Sequence, residues 1–228
     1  MTFDINSWCE LFAGKVQKTF GEKLLFIGLQ GSYKREEAND DSDIDMVVIL
    51  KNLTITDLDK YKSIINSMPN KEKACGFIGG ENEVRNWTKS ELFHLLYDTK
   101  AVYKSLENIV PHITQEDIKY ALKAEATSLY HALCHSYLYD EDRKSSLEIL
   151  AKQIFFILQC KYFLKNNEYI PTKNELLKNL YEADKKILEL CINRHNIHNF
   201  DGTQLKEAYN SLISWCSRLI TSQENEAL

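Results

Sequence analysis

The chain has no apolar run long enough to cross a membrane. Apolar stretches such as residues 154–158 are far shorter than the roughly 18 residues that a membrane span requires. Residues 1–6 also lack the basic segment and apolar core of a signal peptide. We therefore expect a cytoplasmic protein with no membrane partner.

Closely spaced cysteines are also absent, because no Cys-x-x-Cys pair occurs. Zinc sites and small disulfide scaffolds are built from such pairs, so neither is expected. We interpret most of the cysteines as buried free thiols in a reducing compartment. The six are Cys9, Cys75, Cys134, Cys160, Cys191 and Cys216.

No block of basic residues stands out. The formal net charge is −5, and the acidic excess is spread over both halves of the chain. A protein that binds a nucleic-acid duplex normally carries a basic patch. The sequence therefore disfavours a polymerase, a tRNA-processing enzyme or another nucleic-acid partner.

What the chain does contain is a Gly-Ser turn followed by an acidic pair. Gly31-Ser32 closes the apolar run 24–29, and Asp43 and Asp45 open a second run, 46–50. Residues i and i+2 of a strand share a face, so both carboxylates should point the same way. Such a pair suits a magnesium ion that carries substrate phosphates. A Gly-Ser turn offers free N–H groups and a hydroxyl to a phosphate chain.

This stretch resembles the signature of the polymerase-β-like nucleotidyltransferase superfamily. In size the chain is similar to the small antibiotic nucleotidyltransferases that modify kanamycin, lincosamides and aminoglycosides. The resemblance implies that Asp43 and Asp45 bind two Mg²⁺ ions. The family often has glycine after the basic residue of this loop, whereas this chain has Glu36.

The resemblance also implies a nucleoside triphosphate, ATP or another, as substrate. Gly31 and Ser32 would hold its outer phosphates, and Lys34 or Arg35 could add positive charge. A lysine of the helical half, Lys152, could reach the triphosphate as a lysine does in related enzymes. The alternative is that the loop cations are solvated surface residues.

Members of the family usually bring a third carboxylate from a neighbouring strand, as a metal ligand or general base. The predicted third strand, residues 73–79, has no acid in its middle. Our candidates are Glu83, then Glu81, which follow it, and then an acid of the helical half such as Glu125. The alternative is that Glu81 and Glu83 are surface residues beside a helix near Trp87.

The order of elements predicts an α+β fold. Strands 23–29, 44–50 and 73–79 alternate with helices 6–20 and 88–97, which indicates a small mixed sheet covered by helices. A helix between the second and third strands would start at a capping box of Thr56 and Asp59.

From about Pro111 onward the periodicity is helical throughout. We predict a catalytic domain over residues 1–110 and an all-α bundle over residues 111–228. The predicted helices of the bundle are 115–139, 145–166, 173–192 and 203–222.

Three functions remain open. The first is Mg²⁺-dependent transfer of a nucleoside monophosphate, most simply AMP from ATP, to a hydroxyl of a small molecule, with an antibiotic as the analogy. The second is a protein-AMPylating enzyme similar to nucleotidyltransferase antitoxins. The third is a nucleotide-binding module without catalysis, if the third acid has been lost.

Overall fold

The computed structural model describes residues 3–221. The chain divides into two compact units, one ending at His112 and the other beginning at Ile113. The predicted boundary, between residues 110 and 111, lies two residues earlier.

The first unit is a mixed α/β structure whose order of elements largely follows the sequence prediction. A separate short helix at the end of the third strand was not predicted. In chain order the elements are α1 (Ile5–Phe20), β1 (Leu24–Gln30), α2 (Gly31–Lys34), β2 (Ile44–Leu50), α3 (Ile55–Asn66), β3 (Ala74–Gly80), α4 (Glu81–Arg85), α5 (Lys89–Tyr97) and β4 (Lys100–Tyr103).

These strands form a four-stranded sheet in the order β3-β2-β1-β4. Strand β1 is antiparallel to β2 and β4, whereas β3 is parallel to β2. The parallel pair is connected through α3, as a parallel crossover requires. The predicted small mixed sheet followed by a helical region is confirmed.

One face of the sheet packs against α1 and α3. Phe12 and Val16 of α1 are fully buried against alternate residues of the central strands, including Met46 and Val48. Helix α1 begins where the Asp4 carboxylate accepts hydrogen bonds from the first backbone N–H groups. The alternation of β2 therefore sends Asp45, between Ile44 and Met46, to the opposite face.

That opposite face is covered at its far end by α4. Gly79 pairs with Ile49, and a Cβ at Gly79 would lie 3.4 Å from a methyl group of Val84. Val47 and Ile49 are fully buried there. Asp45 lies at the other end of the same strand face.

The N-cap of helix α3 is Thr54, two residues before the predicted cap. The Asp57 carboxylate accepts a hydrogen bond from the Thr54 N–H at 2.9 Å, and the Lys23 ammonium also donates to it. Asp57 is buried whereas Asp59 is exposed. The prediction of Thr56 and Asp59 is wrong because a lysine from another element selects the earlier aspartate.

The second unit is helical, and two of its predicted helices are divided. The 145–166 prediction is interrupted at Lys152, and the 173–192 prediction at residues 180–181. The helices are α6 (Gln115–Tyr139), α7 (Arg143–Ala151), α8 (Gln153–Asn166), α9 (Lys173–Asn179), α10 (Glu182–Ile192) and α11 (Gly202–Thr221), with a 3-10 segment at Arg194–Asn199.

Buried polar side chains join the helices of this unit. The hydroxyls of Ser136 and Tyr209 share a buried hydrogen bond between α6 and α11, and the Tyr209 hydroxyl also donates to the carbonyl of Arg143 at 3.1 Å. The Trp215 indole donates to Asp184 at 2.9 Å. These bonds satisfy the polar ends of large residues that the helices bury.

Within residues 3–221, no helix combines the length and the apolar character needed to cross a membrane.

Candidate active site

The acidic pair lies at the start of the central strand β2. Asp45 pairs with Gln30 of β1 on one side and with Cys75 of β3 on the other. Asp45 is half-buried, and Asp43, which precedes the strand, is exposed. The strand thus presents one sheltered and one accessible carboxylate at the same end of the sheet.

The Gly-Ser turn lies directly against this pair. Gly31 has a φ of +70°, and a Cβ on it would overlap a carboxylate oxygen of Asp45. Only glycine fits such a contact at this backbone angle. Gly31 and Ser32 begin α2, so their N–H groups belong to the helical turn that has no intrahelical partners.

The electrostatics of the pair favour a cation. Burial, and then the negative charge of Asp43, raise the pKa of Asp45 above its ordinary value, and Asp98 acts in the same direction. A hydrogen bond from the Cys75 thiol and the charge of Arg35 oppose the rise. A divalent ion would relieve the repulsion, and two hard carboxylate oxygens suit Mg²⁺. The close contact of Gly31 with Asp45, here called the glycine cradle, and the oxygen donors of the acidic pair fit the predicted Mg²⁺.

Lys34 and Arg35 are held by a buried aspartate, Asp98, that was not among the predicted site residues. Lys34 donates to Asp98 at 3.2 Å and to the carbonyl of Tyr97 at 3.1 Å. Arg35 pairs with Asp98 as well, and also with Glu37 at 3.3 Å. Asp98 is only 5% exposed. It lies more than 60 positions from its partners in the sequence, where no local pattern identifies it.

The turn after α2 explains the usual glycine of the family. The N–H of Glu37 bonds to the carbonyl of Ser32 at 2.9 Å, and that of Glu36 to the carbonyl of Tyr33 at 3.3 Å. This is the Schellman motif, whose αL position normally carries glycine. Glu36 occupies that position with a φ of 58°. The turn therefore forms in this chain although Glu36, which has a side chain, disfavours the left-handed conformation.

The structure does not bring Glu81 or Glu83 to the acidic pair. Because β3 is parallel to β2, its last residue, Gly80, pairs with Leu50. Both glutamates follow Gly80, so they lie beyond the far end of β2, roughly 16 Å along the strand from Asp45. Glu81 accepts hydrogen bonds from Arg85 instead. The expectation that Glu81 or Glu83 lies beside the acidic pair is therefore corrected. The parallel direction of β3 places both at the other end of β2, and the sequence did not reveal that direction.

On the neighbouring strand, Cys75 takes the place nearest the pair. It is directly opposite Asp45 in the register of the parallel pair, and its thiol lowers the pKa of that carboxyl against the larger effect of burial. Most of the cysteines are buried, as predicted, whereas Cys75 is exposed. No local pattern distinguishes it from the other cysteines.

The two candidates from the helical half belong to the second unit. Lys152 is exposed at the junction of α7 and α8. Glu125 lies on α6, where its negative charge contributes, after burial, to raising the pKa of the Cys160 thiol. A role for either residue at the acidic pair stays a prediction.

Comparison with known families matches the part of the chain that contains this site. Residues 10–117 match the family described as the nucleotidyltransferase domain. This part of the chain is a nucleotidyltransferase domain. The match includes the Gly31-Ser32 turn, the acidic pair, and strand β3 with Cys75.

Two known proteins resemble the chain that contains this nucleotidyltransferase domain. One, from Methanocaldococcus jannaschii and provisionally named a protein adenylyltransferase, is 40% identical over 58 residues, which are 25% of this chain. That match spans 40% of the relative's own length.

The other is a crystal structure of a spectinomycin adenyltransferase from Enterococcus faecialis with ATP and spectinomycin. Its TM-score is 0.58, and the match covers 96% of this chain and all of that one at 16% identity. At that identity the likeness establishes the fold.

Proposed function

We propose that the protein is a Mg²⁺-dependent nucleotidyltransferase that moves AMP from ATP to a hydroxyl group of a small molecule. The observation that carries the proposal is the Asp43/Asp45 pair, with Gly31 pressed against Asp45, inside a nucleotidyltransferase domain. In the reaction, the acceptor oxygen bonds to the α-phosphorus while the bond to the β-phosphate breaks. Pyrophosphate leaves and the hydroxyl releases its proton.

The carboxylates and the turn would have distinct roles. Asp43 and Asp45 would hold the divalent ions, which neutralise the triphosphate and activate the attacking oxygen. The N–H groups of Gly31 and Ser32, with the Ser32 hydroxyl, would bind the outer phosphates. These donors lie at the start of α2, beside Asp45, where the phosphates of a metal-bound nucleotide would lie.

The case for phosphate contact by the lysine and arginine side chains is weaker. Lys34 and Arg35 are engaged by Asp98, so they would contact phosphate only by giving up part of that pairing. We assign them first to positioning the Gly-Ser turn, with phosphate contact as the predicted second role. Lys152 remains a proposed phosphate contact from the second unit.

A small-molecule acceptor is supported by the similarity over both units to a protein crystallised with ATP and spectinomycin. A protein acceptor is the second candidate, because a shorter but closer similarity is to a protein adenylyltransferase. Both candidates share ATP as donor and the same acidic pair. They differ in whether a small molecule or a protein gains the mass of the transferred AMP.

The test is incubation of the full chain with ATP and Mg²⁺ in the presence of spectinomycin, aminoglycosides and lincosamides, followed by mass spectrometry. Transfer of AMP adds roughly 329 Da to the acceptor. We expect that increase on a small molecule and none with Asp45→Asn. Asp41→Asn, an exposed acid of the same loop, is the matched control and should stay active.

The increase on a protein instead would establish the second candidate. If ATP binds but no pyrophosphate is released under any of these conditions, the result would support a nucleotide-binding module and overturn the proposed transferase activity.

A further inference from the structure

A glutamine side chain lies next to Asp45 on the central strands of the sheet. Gln30, the residue before the Gly-Ser turn, is the antiparallel partner of Asp45, and residues directly opposite each other in such a pair share one face of the sheet. The neighbouring pair, Leu29 and Met46, belongs to the core on the other face. The Gln30 side chain therefore lies on the face that carries Asp45.

Thr99 determines which end of the Gln30 amide is turned toward it. The Thr99 hydroxyl donates its one hydrogen to the carbonyl of Leu95, so it acts only as an acceptor toward Gln30. The amide nitrogen of Gln30 donates to this hydroxyl at 2.8 Å. Among residues 3–221, no side chain or backbone group donates to the Gln30 carbonyl oxygen. The amide is thus held by its nitrogen, and its oxygen is left for another partner.

Packing fixes the position of Thr99. A Cβ on Gly28, two residues before Gln30 in β1, would lie 2.3 Å from the Thr99 methyl group. The methyl group therefore rests on the strand only because residue 28 is glycine. The residue before Thr99 is the buried Asp98, which holds the two cations that follow the Gly-Ser turn. Two consecutive residues thus hold the turn from both sides.

The order of the strands directs the free oxygen toward β2. Strand β1 lies between β4, which begins directly after Thr99, and β2, which contains Asp45. The two ends of a planar amide point in different directions, so a nitrogen held on the β4 side leaves the oxygen on the β2 side. Asp45 itself lies against Gly31, the residue after Gln30. An uncharged hydrogen-bond acceptor therefore lies beside the carboxylate of the proposed metal site.

Such an acceptor suits the water ligands of a divalent ion. Magnesium that is held by one or two carboxylates keeps several waters. These waters donate hydrogen bonds, and the groups that accept them orient the metal site and raise its affinity. Glu81 and Glu83 lie beyond the far end of β2 and supply no acceptor here.

We propose that Gln30 is a positioning residue of the metal site. Its carbonyl oxygen accepts a hydrogen bond from a water bound to the cation that Asp43 and Asp45 hold, and Thr99 keeps the amide in the orientation that allows this bond. The inference rests on the metal site of the proposed function and deepens it. It also makes Thr99 act on that site through Gln30 alone.

The test is titration of the full chain with Mn²⁺, with the free ion measured by electron paramagnetic resonance. Mn²⁺ replaces Mg²⁺ in this experiment because both ions prefer oxygen ligands. Gln30→Leu removes the acceptor and keeps a side chain of similar size, so Mn²⁺ binding should weaken by roughly tenfold. Gln17→Leu, the same change at an exposed position of α1, is the matched control and should bind Mn²⁺ as the native chain does.

Two further variants separate this role from a loss of packing. Gln30→Glu retains an oxygen acceptor, so it should bind Mn²⁺ at least as tightly as the native chain. Thr99→Val keeps the methyl group on Gly28 and removes the hydroxyl, so binding should weaken, but less than in Gln30→Leu. Added to Gln30→Leu, Thr99→Val should weaken binding no further, because the hydroxyl acts through the amide. Thermal unfolding establishes that each variant is folded.

Transfer assays give a second readout. Gln30→Leu should raise the Mg²⁺ concentration needed for half-maximal transfer more than it lowers the rate at saturating Mg²⁺, since the change weakens metal binding. A fall in rate that saturating Mg²⁺ does not restore, with native Mn²⁺ affinity, would contradict the proposed role.

Native Mn²⁺ affinity in a folded Gln30→Leu chain, or equal weakening in Gln30→Glu and Gln30→Leu, would overturn the role of the glutamine. If Asp45→Asn still abolishes Mn²⁺ binding, that result leaves the metal site of the proposed function intact. Native Mn²⁺ affinity in Asp45→Asn would overturn both the metal site and the role of Gln30. The expected series of affinities in a chain that transfers no AMP would support Gln30 and overturn the proposed reaction.

Discussion

The two units of this protein use polar side chains in different ways. In the first unit, carboxylates are left accessible or under repulsion, as at Asp43 and Asp45. In the second, the buried hydroxyls of Ser136 and Tyr209 bond to each other, and the half-buried Asp184 accepts a hydrogen bond from the buried Trp215. Charged groups that repel one another in the folded protein are typical of a binding site, whereas hydrogen-bonded polar pairs stabilise the packing of helices. This contrast supports the proposal that the chemistry belongs to the first unit.

The largest expected effect that tests this contrast follows from removing one charge of the acidic pair. Asp45→Asn should reduce AMP transfer by about a thousandfold or more, because a charged metal ligand stabilises the transition state by several kcal/mol. Its thermal unfolding midpoint should not fall, since the change removes a half-buried charge that Asp43 repels. Transfer assays and calorimetric unfolding measure the two. Transfer at the native rate in a folded Asp45→Asn would remove the pair from the mechanism.

The next effect concerns the glycine cradle. Gly31→Ala should destabilise the first unit by roughly 2 kcal/mol or more and reduce nucleotide binding, because its Cβ would overlap Asp45 at an unfavourable φ. Gly14→Ala is the control. A Cβ at Gly14, within α1, meets no atom within 4 Å, so this change should stabilise the helix by about 0.5–1 kcal/mol. Equal effects of the two changes on the unfolding midpoint would contradict the cradle.

A smaller effect, in the second unit, should be confined to stability. Tyr209→Phe removes the bond to Ser136 and leaves that buried hydroxyl without its partner, which should cost about 1–2 kcal/mol. Denaturant unfolding measures the loss. Magnesium-dependent transfer, assayed where the variant is folded, should be unchanged. A transfer defect larger than the folding defect would extend the chemistry to this unit.

The smallest effect has the opposite sign. Glu36→Gly should stabilise the first unit by about 1 kcal/mol, because glycine relieves the left-handed conformation at the end of α2. Ala38→Gly, two residues on and outside that conformation, should instead lower the unfolding midpoint. A destabilised Glu36→Gly would mean that the glutamate makes a contact more valuable than the strain.

Local signals in the sequence predicted much of the fold. The bounds of β2 agree with prediction because an apolar run begins beside an acidic pair. Those of α6 agree because Thr114 and Asp117 form a capping box at its start. The breaks at Lys152 and at residues 180–181 were missed, since apolar periodicity continues across them.

The candidate site was less predictable because it depends on strand direction and distant pairing. Nothing in residues 73–83 tells whether β3 runs parallel or antiparallel to β2, yet that choice decides whether Cys75 or Glu81 lies near Asp45. Likewise, Asp98 meets Lys34 and Arg35 only after β4 pairs with β1.

The ion group of Lys34, Arg35, Glu37 and Asp98 has a consequence for the order of ligand binding. These four side chains carry two positive and two negative charges, so together they attract a polyanion little beyond their immediate contacts. Nearby, Asp43 and Asp45 repel one. We therefore expect free ATP to bind poorly and the metal–nucleotide complex, or the metal alone, to bind first.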